Sequence, residues 1–433
     1  MTPRRILALI FLATALAYLP ALTSGLVRDD WVLILRARSV SIEQELNPFF
    51  PGHVEHLRPA RKMLYKGMNA VFGTNPLPYH VLNLMLHLAC VAMFYRMARG
   101  YGRGYALSAA ALFALHPALS EAVIWPAAVA TPLSTLFALG ALQTHTGEKS
   151  ATRLISIALA VAAYLTHEST APLAAVMVLM AWSEKRLRER RKILTAHVSA
   201  AAIFIAIWMA GPLVFNRPVA TGGWRLGAHG LFHIVEYVVS LTLYPGLFLF
   251  PHGAGWLGFL RERLWLHVAA DLLFAAAIAL WVAKSPRRES AWLASAMVLL
   301  LPVSFFVWGN SSRYLHFPAM FWTLIAVSVG RRVYEKSGRK NAWRAAFMAL
   351  LIIFAVNDFS ESMGFHKEAV ETNEALVRIE AAMPAGARSL ELPTCPMHPD
   401  HLAAALRVIK NDVYFQIVCR KIEKLPHAPP RIE

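Results

Sequence analysis

PRRILALIFLATALAYLPALTSGLVRDDW, residues 3–31, is the stretch whose reading decides the fold. Two arginines precede an apolar run from 6 to 26, and Arg28-Asp29-Asp30-Trp31 follows it directly. A run of roughly 20 apolar residues crosses a hydrocarbon core of about 30 Å. It is long for the core of a secretory signal, and Tyr18-Leu19-Pro20 is a poor cleavage context, so it reads as an uncleaved first span. Residues 194–214 and 264–282 are runs of the same kind. Of the 433 residues, 57% are hydrophobic and only 16% charged, against nearer a quarter charged in soluble chains. The excess apolar surface faces lipid, where backbone groups must be satisfied within each helix. An all-α polytopic membrane protein is expected.

The net charge of +17 lies in short blocks between apolar runs: Arg96, Arg99 and Arg103; residues 185–192; Lys284, Arg287 and Arg288; residues 331–344. Such blocks belong on the cytoplasmic side of a membrane and argue against nucleic-acid binding. With Arg4 and Arg5 inside, residues 27–77 form a long first outer loop. Spans follow near 78–98, 104–116 and 122–142, then a short hairpin near 154–166 and 169–182 with His167 and Glu168 at its tip. A span near 193–214 leads out, and Tyr244-Pro245-Gly246 makes residues 229–250 a re-entrant or broken segment that keeps the later basic blocks inside. Spans near 264–283, 290–308, 314–330 and 342–357 bring the total to about eleven, with the N-terminus cytoplasmic and the C-terminus periplasmic in a bacterial inner membrane. Residues 1–357 are thus the membrane domain. Residues 358–433 read as a small outer-face appendage, with a helix near 361–382 and an α/β piece after Pro384.

Polar residues that resist this lipid-facing composition collect at the outer ends of spans. Asp29 and Asp30 need a cavity or a partner at that boundary, or are solvated loop; a carboxylate there can act as a general base. His116 and Glu121 sit at the second outer turn, which is either pocket wall or a capping box. Arg313, beside Tyr314 in the segment from Asn310 to His316, is either a phosphate ligand or an interfacial anchor. His56, Arg58, Arg61, Lys62 and Lys66 place positive charge outside, against the general bias, and invite an anion or outer-leaflet headgroups. Asn83 and His87, one turn apart, read as interhelical hydrogen-bond partners. Of the three cysteines, Cys90 reads as a small buried side chain, while Cys395 and Cys419 can pair if their segment is outside the cytoplasm. Asp29, Asp30, His56, His116 and Glu121 offer ligand types without ligand spacing, so no metal residue is assigned and a divalent metal stays open as a cofactor.

Taken in order, Asp29-Asp30, Arg58-Pro59, the run from Phe72 through Asn75-Pro76, Tyr79-His80 and Asn83 to His87, Ala114-Leu115-His116-Pro117 with Glu121 to Trp125, Thr166-His167-Glu168 and Arg313-Tyr314 resemble the membrane portion of GT-C-type glycosyltransferases. The group most resembled is that of the transmembrane and tetratricopeptide-repeat mannosyltransferases and their bacterial relatives. The resemblance implies a GT-C-like bundle, a polyprenyl-phosphate-linked sugar donor, inversion at the anomeric carbon, and a first-loop aspartate as base, here Asp29 or Asp30 with Asp29 preferred. It implies Arg313 with Tyr314 as the lipid-phosphate site, Arg58 as an orienting residue, and His116, Glu121, His167 and Glu168 as pocket lining. Two departures stand out: Val129 and Thr131 replace an Arg and an Asp, and His167 replaces a Lys. The function expected is transfer of a sugar to a hydroxyl of an acceptor (glycan, lipid or protein) on the non-cytoplasmic face. The alternatives are a transporter or flippase of a lipid-linked or anionic solute, and an inactive assembly partner. Transporters place charge near the midplane and show repeat symmetry, whereas these candidates gather at span ends.

Overall fold

In a computed structural model of the chain, residues 2–50, 57–147, 149–214, 227, 229–242, 284–305, 311–383, 389–395, 397–412 and 416–422 are described, with isolated positions between 269 and 281. His56, the Tyr244-Pro245-Gly246 break, Asn310 and most of 264–283 lie outside the described residues.

The first apolar run is broken near its end into α1 (Pro3–Ala17) and α2 (Leu19–Leu22). Pro20 brings no N–H of its own to continue the ladder, and Tyr18 at the break is buried. The first loop is largely helical: α3 (Asp29–Ser39), α4 (Ile42–Leu46) and α5 (Pro59–Phe72). Ser41 and Gln44 close a capping box over α4. Glu45 ties the three helices together, pairing with Arg36 at 2.7 Å and with Lys62 at 3.6 Å. Burial and the neighbouring Arg36 push the Lys62 ammonium down to about 7, against the pull of Glu45.

The main bundle follows as α6 (Pro76–Ala98), α7 (Arg103–Ala114), α8 (Ser120–Ile124), α9 (Ala130–Thr144), α10 (Ser150–Thr166), α11 (Leu173–Ser183), α12 (Arg191–Val214), α13 (His229–Thr242), α14 (Arg287–Ser304), α15 (Pro318–Lys336) and α16 (Lys340–Ala382). Asn75 caps α6 by accepting from Leu77 N–H at 3.2 Å. Gly102 makes the turn into α7 at φ 112°, a conformation glycine adopts without penalty. Among the described residues, Pro76–Tyr101, Pro126–Thr144, Arg191–Ala210 and Lys340–Ala382 are long and apolar enough to cross a membrane. The bent pair Arg103–Ala114 and Pro117–Ile124, at 55°, makes a fifth if it counts as one span. Asn83 donates to the Trp125 carbonyl at 2.6 Å, and His87 meets His316 at 3.0 Å, as interhelical partners do. Cys90 is buried, with its Sγ 3.3 Å from the Pro132 carbonyl.

The expected span at 342–357 and helix at 361–382 are one continuous helix of 43 residues. The composition changes from apolar to charged along it, but no proline interrupts it, and the single Gly364 costs only about 1 kcal/mol relative to alanine. The solvent changes; the backbone does not.

Beyond α16, β1 (Ser389–Cys395) and β2 (Gln416–Ile422) pair in parallel, with Leu392 opposite Cys419. The crossover between them is α17 (Pro399–Lys410), and a disulfide joins Cys395 to Cys419. Leu402, Ala405 and Leu406 are fully buried in a cluster that also holds Trp31, Leu33 and Ile34 of α3. Burying two leucines stabilises by roughly 1.5–3 kcal/mol each, so the segment is packed onto the first loop rather than tethered beside it. With a separation of 24 residues, replacing both cysteines by serine should loosen this unit by roughly 3 kcal/mol. Faster hydrogen exchange in β1, α17 and β2 with unchanged exchange in α6–α9 is the expected readout; uniform exchange would contradict it.

Candidate active site

The site is built where α3, the turn after α8, the hairpin tip and the turn before α15 meet. Asp29 and Asp30 open α3, and the backbone before them is unusual: Arg28 has φ 49°, in the left-handed region that disfavours side chains. Its guanidinium holds Glu368 of α16 through two bonds of 2.6 Å and lies 5.6 Å over the Trp125 ring. That grip offsets the cost of the conformation, which is on the order of 1–3 kcal/mol.

The two aspartates are not equivalent. Asp30 is fully buried; one oxygen accepts from Val27 N–H at 2.9 Å and the other from Ala127 N–H at 2.7 Å. Burial pushes its carboxyl well above the ordinary range, with the two backbone donors pulling the other way. Asp29 has a side chain 46% exposed, and its Oδ1 lies 2.9 Å from Nε2 of His401 on α17. Burial raises the Asp29 carboxyl, but the His401 hydrogen bond and charge, with Arg313 and Arg61, outweigh it and hold the group below its ordinary value. Asp29 is therefore an ionised, partly accessible carboxylate, and Asp30 a clamp between two backbone segments.

Arg313 lies in a 3-10 turn, Ser312–Leu315, organised by Glu121. That carboxylate accepts from the Ser311 hydroxyl at 2.8 Å, the Ser312 hydroxyl at 3.1 Å and Arg313 N–H at 3.0 Å. Arg313 Nη1 stays 3.8 Å from Glu121, too long for a tight pair, while its Nη2 donates to Tyr314 Oη at 3.2 Å. The guanidinium lies 4.7 Å over Trp125 and 5.1 Å over Tyr314. Burial opposes its charge, but Tyr314 and Glu121 raise its pKa further.

Arg58 and Glu168 form a buried bidentate ion pair between the first loop and the hairpin tip, with one bond of 2.6 Å and a second between Nη2 and Oε1. Next to it, Arg61 has its Nε buried with no hydrogen-bond partner among the described residues. Burial and the charge of Arg58 push the Arg61 guanidinium down to about 10; Glu168 and Asp29 act against this. His167 caps the tip, its Nδ1 accepting from Ser169 N–H at 3.1 Å, and its ring centroid lies 5.6 Å from that of Tyr314.

Asp29, Arg58, Glu121, His167, Glu168, Arg313 and Tyr314 are thus brought into one connected group. His116 is committed elsewhere: Nδ1 accepts from Ala118 N–H at 3.2 Å, and Nε2 donates to the Leu241 carbonyl at 3.0 Å. Arg58, read from sequence as an orienting residue, is already held by Glu168, while Arg61 beside it keeps a buried Nε with no hydrogen-bond partner among the described residues. His401 escaped sequence reading altogether, because 372 residues separate it from Asp29 and no local pattern marks it. Among the described residues no group of three or more His, Cys, Asp or Glu is placed to hold a metal ion.

The chain is an integral membrane protein, and its fold is shared with a solved structure. The structure of ArnT from Cupriavidus metallidurans bound to undecaprenyl phosphate superposes with a TM-score of 0.53, covering 92% of this chain and 84% of that one at 12% identity. In sequence, the chain is 31% identical over 169 residues to the protein O-mannosyl-transferase Tmtc1 of Drosophila melanogaster, covering 35% of this chain and 20% of that protein. It is 29% identical over 125 residues to the protein O-mannosyl-transferase TMTC2 of Mus musculus, covering 24% of this chain and 14% of that one. The matched part therefore spans a fifth or less of these curated relatives. No family model matches. The resemblance to GT-C-type membrane glycosyltransferases, and to the transmembrane mannosyltransferases among them, is borne out by both sequence and fold.

Proposed function

We propose that this chain is an inverting glycosyltransferase that moves a sugar from a polyprenyl-phosphate carrier to an acceptor hydroxyl on the non-cytoplasmic face of a bacterial inner membrane. The observation that carries the reading is the meeting of one accessible ionised carboxylate, Asp29, with two arginines: Arg313, whose ion pair with Glu121 is loose at 3.8 Å, and Arg61, whose buried Nε has no hydrogen-bond partner among the described residues. A phosphate with a polyprenyl tail supplies the missing anion, and the structural likeness to a protein solved with undecaprenyl phosphate supports that choice.

In this mechanism Asp29 accepts the proton of the acceptor O–H as its oxygen bonds to the anomeric carbon. The bond from that carbon to the phosphate oxygen breaks, and its electron pair leaves with the lipid phosphate. The configuration inverts because attack and departure are on opposite faces. Arg313 and Arg61 hold the phosphate, and their help grows as its charge develops. Glu121 fixes the backbone of Arg313, and Arg58 with Glu168 fixes the wall around it. In this topology about eleven spans cross within residues 1–357; the N-terminus is cytoplasmic, and residues 358–433 form a periplasmic unit.

Native mass spectrometry of the detergent-purified protein tests the donor site. Wild type should retain a polyprenyl phosphate, and Arg313→Ala should bind it about ten- to a hundredfold more weakly, as expected for losing hydrogen bonds to a charged partner. Failure of wild type to bind added carrier would remove the donor assignment.

A further inference from the structure

We propose that His401, carried by the disulfide-tied C-terminal unit, is the positioning residue that aims the Asp29 carboxylate and keeps it available as a base. The inference rests on the reading of Asp29 given above. Nε2–H of His401 donates to Oδ1 at 2.9 Å, which leaves Oδ2 to face the acceptor hydroxyl.

The geometry around His401 is built rather than incidental. His398 caps α17, its Nδ1 accepting from Asp400 N–H at 3.3 Å, so His401 lies in the first turn. The next residue, Leu402, is fully buried against the first loop, which fixes the rotation of α17 about its axis. Arg38 of α3 donates to the Val408 carbonyl at 3.0 Å, and Lys410 lies 3.8 Å from Glu380 of α16, so the far end is held too. The disulfide closes the sheet from which α17 crosses over. Together these contacts hold α17 against α3 and α16, so that His401 is presented from a fixed helix.

Other groups also act on the pair. Arg313 from the late turn and Arg61 from α5 favour the ionised form of Asp29, and the charge of Asp29 in turn helps to raise the carboxyl of Asp30 on the same helix. The Arg28–Glu368 ion pair stands beside α3, and the His398 ring is 5.2 Å from that of His401 on α17 itself. Removing His401 leaves the two arginines in place, so Asp29 loses its aim and part of its acidity, not all of it.

The test compares wild type, His401→Ala and His401→Gln in reconstituted vesicles across pH. It pairs this with carbodiimide labelling of Asp29 followed by mass spectrometry. His401→Ala should lower kcat roughly ten- to a hundredfold through misplacement of the base, with KM for the lipid donor unchanged. The acid limb of the activity profile and the labelling profile of Asp29 should both move to higher pH, because the hydrogen bond and charge of His401 lower the Asp29 carboxyl. His401→Gln keeps an N–H donor and should recover most of kcat. An unchanged labelling profile and kcat in a folded His401→Ala protein would overturn the role of His401. If wild type transfers no sugar, the base reading falls, and with it the catalytic role of His401. The labelling shift then still decides whether the pair exists.

Discussion

Asp29→Asn is expected to lower sugar transfer roughly a thousandfold, the middle of the range for loss of a positioned general base, while the protein melts at the wild-type temperature. The stability half of this expectation follows from exposure. The Asp29 side chain is about half accessible and makes one hydrogen bond, which an amide oxygen can still accept from His401. Asp30→Asn should do the reverse. Its amide nitrogen would face a backbone N–H, from either Val27 or Ala127, so one buried bond becomes donor against donor. The cost is about 1–3 kcal/mol of stability, seen as a lower melting temperature with residual turnover in the surviving protein. Two adjacent carboxylates thus separate by assay: turnover reads one and melting reads the other. Full turnover in Asp29→Asn would eliminate it as the base.

The largest stability effect should come from the buried pair of Arg58 and Glu168, whose side chains are 7% and 5% exposed. Arg58→Ala takes from the buried Glu168 carboxylate its bidentate partner, with Arg61 as a remaining nearby charge, and breaking a buried pair costs about 3–5 kcal/mol. Glu168→Gln leaves the guanidinium in the same position and should cost a similar amount. Replacing both by leucine removes both charges together and should recover much of the loss, since an apolar pair of similar volume is often no less stable. A double variant no better than either single one would show that the hydrogen bonds, not charge balance, carry the contact. The singles should also lose activity, because the hairpin tip places His167 against Tyr314, and Tyr314 accepts from Arg313.

What could be read from the chain beforehand follows from the range of the interactions. Apolar runs such as 78–98 and 193–214 announce helices because lipid demands it locally, and proline and asparagine mark where α6 begins. The ordered motifs around Asp29, Glu121 and Arg313 pointed to one surface. Their division of labour did not show: that Asp30 is pinned by Ala127, that Glu121 shapes the turn of Arg313, and that Arg58 is spoken for by Glu168 are facts of tertiary contact. The helices of the first loop were hidden for another reason. They carry many charges, α4 is only five residues long, and what holds them is distant in sequence: Trp31, Leu33 and Ile34 of α3 pack with α17, and the Arg36–Glu45–Lys62 network joins α3, α4 and α5. The disulfide between Cys395 and Cys419 was open from sequence because its formation depends on the compartment.

The unbroken run of α16 sets a rule about length. From Lys340 to Glu368 the helix rises about 42 Å, and each residue turns it by about 100°. Deleting or inserting a single residue anywhere along that rod would swing Glu368 by the same angle and part it from Arg28, beside Asp29. Substitutions can be absorbed one side chain at a time, but a change in residue count cannot. Close homologues that keep the Arg28–Glu368 pair should therefore vary in letters along α16 and never in number, except by whole turns taken up elsewhere.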